Sequence, residues 1–526
     1  MAFKSFLLFS LVLLTNTFLL LPKEHSSDPP TYHELFRPGY HFTPPKNWMN
    51  DPNGLIYANG EYHLYYQYNP YEPIWAHMSW GHAVSKDLVY WENLPVAIWE
   101  EPEYQIYSGS VIIDVNNTSG LCEKKGCMLA FYTSHYPERE KQSIAVSNDK
   151  GRSYTQFEGN PIIDEDLRDH RDPKVFWYEP EEKWVMITAL STEFKVRLYS
   201  SKNLLDWEWL SDFGPDDGST DGVWEDPDLF ELEIEGKKEK KWVLTHAVNI
   251  DRVEYYIGEF DGTEFTNTDT KGKPFYIDYG TDFDEANTFN NEPKGRRLII
   301  GWLNAGMYGW STPTKGWRGQ QSLVKELWIR EYPEGLRIVQ RPVEEYKKLR
   351  YRHKHRKNIR LNKKHKSFDL TKGSQVEIMA QFEYNPDGKD EPTEFGFKVF
   401  YGEGQQTIIG YDVKSQELFV DRTESGIVDF EPSFACVRKA LYTANDGKLQ
   451  FRLFIDQSSV EVFADEGKIA MSTLIFPDPE KDKIQVYVKG GSVKVKSADT
   501  WLLKTIWPKD EESVTPFKEF LSSIVD

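Results

Sequence analysis

The chain reads as an all-β protein, with propeller-like blades over most of its length and a second, sandwich-type β domain after them. Three observations predict this. Residues 40–345 are a succession of short aromatic and β-branched runs cut by Gly, Pro, Asn and Asp, with almost no helical periodicity. Within them one phrase recurs at intervals of 54–62 residues. After a basic stretch, short alternating runs resume and continue from residue 367 to residue 507.

The recurring phrase is Ala83-Val84-Ser85-Lys86-Asp87-Leu88, then Ala145-Val146-Ser147-Asn148-Asp149-Lys150, then Tyr199-Ser200-Ser201-Lys202-Asn203-Leu204, with a looser copy at Ile257-Gly258-Glu259-Phe260-Asp261-Gly262. Repeats of this length built from strands and turns predict blades, because one small sheet cannot bury both faces without neighbours. Against this ruler, Asp51 precedes its phrase by 34 residues, Asp172 by 29 and Glu225 by 34, so three carboxylates are expected at similar places in three blades. The second blade has Tyr107-Ser108-Gly109-Ser110 there instead. Positions early in each blade fall on the innermost strands, so these side chains are expected to converge on one axial pocket.

In chain order, Met1-Ala2-Phe3-Lys4 and the mostly apolar run to Leu21 read as a signal peptide within residues 1–25, or as an uncleaved anchor, since no clear small-x-small site follows. Residues 36–345 are assigned to the propeller and residues 346–366 to a basic linker. Residues 350–366 hold nine Lys or Arg and three His, which reads as a solvated strip or first strand edge, or else as an anion-binding surface. Residues 367–507 form the sandwich, and 508–526 a tail. Cys122 and Cys127 are spaced to close a small loop in an oxidising compartment, leaving Cys436 odd; three buried thiols are the alternative. Asn116-Asn117-Thr118-Ser119 carries overlapping glycosylation sequons.

Composition narrows the function. A formal charge of −20 opposes nucleic acid binding, and a mean hydropathy of −0.61 excludes a polytopic membrane protein. With 17 Trp and 29 Tyr the chain has more aromatic rings than its cores need, as suits sugar ligands. The twelve His show no metal-ligand spacing, and there is no phosphate loop, G-x-G-x-x-G or G-x-S-x-G. No cofactor and no essential metal is expected, and no stable membrane association. Converging acids, in contrast, suit glycosidic cleavage, where one carboxylate attacks the anomeric carbon and a second, protonated carboxyl serves the leaving oxygen. Asp226 and Asp228 crowd Glu225 in sequence and would raise its proton affinity, whereas Arg171 is placed to keep Asp172 ionised.

Several motifs together carry a family resemblance: Trp48-Met49-Asn50-Asp51-Pro52-Asn53-Gly54, Gln67-Tyr68-Asn69-Pro70, Trp80-Gly81-His82-Ala83, Tyr107-Ser108-Gly109-Ser110, Arg171-Asp172-Pro173, Trp224-Glu225-x-Pro227-Asp228 and the later Phe454-Ile455-Asp456-Gln457 phrase. From about Tyr40 to Trp507 the chain resembles glycoside hydrolase family 32, most of all its levanase and invertase type. The resemblance implies a five-bladed β-propeller followed by a C-terminal β-sandwich, and a cofactor-free retaining hydrolase of terminal β-D-fructofuranosyl groups in sucrose, levan or inulin; the N-terminal segment makes it an expected secreted, extracellular protein. A fructosyltransferase and a non-catalytic carbohydrate-binding protein are the other readings of the same scaffold. It implies Asp51 as nucleophile, Glu225 as acid/base and Asp172 as transition-state stabiliser beside Arg171, with Asn50, Gln67, Trp75, Tyr107 and Ser108 lining the sugar site. The chain departs from the family pattern in Asp226 where the family has Cys, Asp284 where it has Tyr, Ala305-Gly306 for Asn-Trp, and Val324-Lys325 for Pro-Arg. Alternation along a strand would point Asp226 away from Glu225.

Overall fold

The computed structural model describes residues 32–507 except 272, 273 and 387; the expected signal segment and tail lie outside the described residues. Five sheets follow one another in the first part of the chain. Their innermost strands are Asn47–Ala58, Gln105–Asp114, His170–Tyr178, Trp224–Glu233 and Asp284–Thr288. Each packs against the next and the fifth returns to the first, so the five sheets are blades around one axis. The ring is also closed by hydrogen bonding, since Trp317–Arg318 pairs in parallel with Asn47 and Trp48 of blade one.

The recurring phrase has a structural cause. It ends the third strand of successive blades, where Ser85, Ser147 and Ser201 accept from backbone N–H groups of the following turn, and Asp87, Asp149, Asn203 and Asp261 do the same. These short side chains satisfy a tight turn that the backbone alone leaves open.

All five inner strands carry a β-bulge at the same height. Two residues stand against one at Asn50-Asp51, Tyr107-Ser108, Asp172-Pro173, Asp226-Pro227 and Glu285-Ala286. In blades three to five the first bulge residue adopts a left-handed backbone, with φ of 63° at Asp172, 44° at Asp226 and 48° at Glu285. This corrects the register expected from the repeat. The blade-four counterpart of Asp172 is Asp226, while Glu225 precedes the bulge and corresponds to Arg171 and Asp284.

Beyond the propeller, two six-stranded sheets face each other over an apolar core that includes Phe382, Phe395, Phe397 and Phe451. The basic stretch, read as a linker and first strand edge, supplies that edge. Arg350–Leu361 forms the edge of one sheet and pairs with Val493–Leu503, because its backbone gains a full ladder while its charged side chains stay in water. Cys122 and Cys127 are joined in a disulfide and Cys436 is free.

Propeller and sandwich are joined by buried charge. His41, ahead of blade one, lies between Asp456 and Glu461 of the sandwich at 2.8 and 2.9 Å. Burial opposes its charge, but the two carboxylates prevail and push it up to about 9. Nearby, Lys325 meets Asp278 and Glu461 at 3.3 and 3.4 Å, and Arg422 of the sandwich meets Asp282 at 2.7 Å.

Candidate active site

A pocket of about 430 Å³ opens at one end of the propeller axis. Its wall includes all the residues singled out in the sequence: Asn50, Asp51, Gln67, Trp75, Tyr107, Ser108, Arg171, Asp172 and Glu225. The inner-strand bulges bring them together. A bulge breaks the alternation of a strand and re-aims its side chains, here toward the axis.

Asp51 is held from two sides, by Asn50 Nδ2 donating at 2.9 Å and Ser108 Oγ donating at 2.7 Å. Trp48 Nε1 donates to Asn50 Oδ1 and fixes that amide. Burial raises Asp51 and the nearby Glu225 charge adds to this, against the two donors, leaving it at about 7. Arg171 contacts Glu140, Asp169 and Glu225 at 2.8 to 2.9 Å. It makes no hydrogen bond to Asp172, contrary to the pairing expected from their adjacency. Asp172 accepts instead from the backbone N–H of Asp226, and burial, opposed by Arg171, raises it well above the usual carboxylate range.

Sequence reasoning missed several members of the site. His135 stacks on Tyr107 with ring centroids 4.1 Å apart and, with Arg171, engages Glu140. Trp302 and Trp310 complete the aromatic lining. Glu285, a further pocket residue, was findable: with the bulge register known, Asp172, Asp226 and Glu285 recur at 54 and 59 residues, near the repeat length. Asp226 makes no contact with Glu225 and is not part of the pocket wall, yet its carboxylate lies beside those of Asp51 and Glu285, which are. Oxygens of Asp51, Asp226 and Glu285 all lie within 4.8 Å of one another. Burial, reinforced by neighbouring carboxylates, raises Asp226, Asp284 and Glu285 well above their usual range.

A five-bladed propeller whose inner strands deliver carboxylates into one axial pocket with an aromatic lining has the groups that cleaving a carbohydrate requires. The glycosyl hydrolases family 32 N-terminal domain matches residues 41–342 and the family's C-terminal domain matches residues 345–502. The chain therefore belongs to glycosyl hydrolase family 32. It is 44% identical to a levanase of Bacillus subtilis over 94% of this chain and 73% of that one. To an extracellular exo-inulinase of Aspergillus awamori it is 33% identical, over 90% of this chain and 96% of that one. The crystal structure of exo-inulinase from that fungus superposes with a TM-score of 0.85 at 33% identity, covering 90% of this chain and all of that one. A β-fructofuranosidase from Schwanniomyces occidentalis, complexed with fructosyl-erythritol, gives 0.83 at 29% identity, covering 90% and 99%.

Proposed function

We propose that this glycoside hydrolase is a retaining β-fructofuranosidase that releases terminal fructosyl residues from sucrose and from fructans such as levan and inulin. The observation that carries the reading is the pairing of Asp51 and Glu225 across one pocket, each carboxylate oriented by donors, in a chain whose relatives are levanases, exo-inulinases and fructofuranosidases.

In this reading Asp51 attacks the anomeric carbon while Glu225 gives its proton to the leaving oxygen, breaking the glycosidic bond and forming a fructosyl ester on Asp51. Glu225 then takes a proton from water, whose oxygen releases the sugar and frees Asp51. Ser108 and Asn50 donate to both Asp51 oxygens and favour the ionised form that attack requires. Asp172 receives sugar hydroxyls on the oxygen not bonded to Asp226. Gln67, Tyr107 and Arg171 line the fructose, and Trp75 and Trp310, both exposed, offer faces for stacking. The oxidised Cys122–Cys127 loop and relatives named extracellular support a secreted protein. Among the described residues no helix is long and apolar enough to cross a membrane.

The test is reducing-sugar release from sucrose, levan and inulin by wild type and Asp51→Ala. Wild type is expected to act on at least one, and the variant to lose turnover with its melting temperature retained. Sugar binding without release from any of the three would replace this reading with a non-catalytic binding protein, and transfer to added sugar in preference to water would mark a fructosyltransferase.

A further inference from the structure

A second cavity, of about 480 Å³, is built on the same inner strands as the active site but toward their far ends. Val115, Trp177, Glu231 and Asn291 of its wall lie five to seven residues beyond Ser108, Asp172, Glu225 and Glu285. At about 3.3 Å per residue this is a step of roughly 17–23 Å, to the other end of the propeller axis. All four are exposed, so the cavity opens to solvent there. No residue of its wall takes part in the reaction above.

The wall combines aromatic faces with donors and acceptors left open. Trp184 and Asp228 are 9% and 1% exposed, yet Trp184 Nε1 and Asp228 Oδ1 have no hydrogen-bond partner among the described residues. A donor and an acceptor buried without partners are costly, and a hydroxyl can serve either. Arg297 gives one N–H to Thr288 Oγ1 at 3.3 Å, lies over the Phe230 ring at 4.9 Å and forms no ion pair among the described residues. Trp177 is set before any ligand arrives, by its N–H on Glu179 and by an edge contact with Trp184 at 5.1 Å between centroids. Half-buried Trp242 adds a further ring. Charge selects the ligand class: Lys174 pairs with Asp228 at 3.0 Å and Arg297 is matched in number by Glu231, so the wall has no net charge with which to hold an ion. Rings, mixed donors and acceptors, and neutrality together fit a sugar.

We propose that this cavity is a second carbohydrate-binding site, which takes a neutral sugar unit of a polysaccharide on Trp177 and Arg297. Resting on the fructosidase reading, that polysaccharide is the fructan itself, held at one end of the axis while chain ends are cut at the other. The two openings lie at opposite ends of the same strands, so the site anchors the protein on polymer and does not present a bond to Asp51. Its loss therefore weakens action on polymer and spares action on sucrose.

The test is electrophoresis in native gels containing levan, inulin or dextran, with full-length Asp51→Ala protein so that the polymer is not digested during the run. A bacterial host leaves Asn116, a wall residue within a sequon, without a glycan that could fill the cavity. Levan or inulin is expected to retard the protein, and adding Trp177→Ala or Arg297→Gln to weaken that binding at least about fivefold. Near-UV circular dichroism of each variant establishes that the fold is intact. In the active protein the same two changes are expected to raise KM on the retarding polymer at least about threefold and to leave kcat/KM on sucrose as in wild type. Absence of retardation, or retardation that survives both changes, overturns the site, and retardation by dextran alone overturns fructan as its ligand. An unchanged KM on polymer overturns the anchoring. Fructan binding that the two changes relieve, in a protein that cleaves no fructoside, leaves the site standing and removes the fructosidase reading instead.

Discussion

At Asp172, Asp226 and Glu285 a single backbone torsion decides what each side chain meets. Non-glycine residues visit positive φ at a cost, and doing so at the same height in three blades is a device for aiming acids rather than an accident of turns. Strand alternation, applied without the bulge, does not bring Asp226 to Asp51 and Glu285, and adjacency in sequence misleads on the Arg171–Asp172 pairing. Asp51 itself was legible, being an acid in a turn-rich motif with repeat-related partners, but its two donors come from a neighbouring residue and from another blade. Removing the second donor gives a direct test. Ser108→Ala takes away a bond that holds Asp51 toward ionisation, so its pKa rises from about 7. The acidic limb of the kcat/KM profile on sucrose is expected to move up by roughly one pH unit, the equivalent of one charge-assisted hydrogen bond. An unmoved limb assigns that titration to another group.

The elements themselves were readable from the sequence for physical reasons. Alternating runs and turn residues act over a few positions, and the Ser-x-Asp or Ser-x-Asn phrase reports the third strand of the first three blades because the hydroxyl and the acid or amide together satisfy that turn. The basic stretch was harder. A strand with charges on both faces has no hydrophobic pattern, and only its partner Val493–Leu503 shows that Arg350–Leu361 belongs to a sheet. As an edge strand exposed along most of its length, it presents unpaired backbone groups that its Lys and Arg guard against pairing with a second chain. Replacing Lys354, Arg356 and Lys357 with Thr is expected to leave monomer stability within about 1 kcal/mol while producing concentration-dependent association in size-exclusion chromatography. A variant that stays as dispersed as wild type would remove that protective role.

For the molecule as a whole, the buried charges between propeller and sandwich govern integrity. His41 carries a raised pKa of about 9 against about 6.5 unfolded, so its contribution is complete below pH 6.5 and is lost as pH rises through 9. Thermal unfolding from pH 6 to pH 10 should show that loss, and His41→Gln should flatten it while lowering stability by about 3–5 kcal/mol, since Asp456 and Glu461 lose their shared partner. Equal pH dependence in the two proteins would place the effect elsewhere. The sequence by itself determined the all-β class, the blade repeat, the second domain and the acids that matter, because strand patterning, turn chemistry and motif identity are local. Which acids face one another, which residues Arg171 grips and that Asp226 and Glu285 meet Asp51 were decided only by the closed ring. Bulge register and distances across an axis arise between blades, some 50 to 60 residues apart, and no short stretch of chain encodes them.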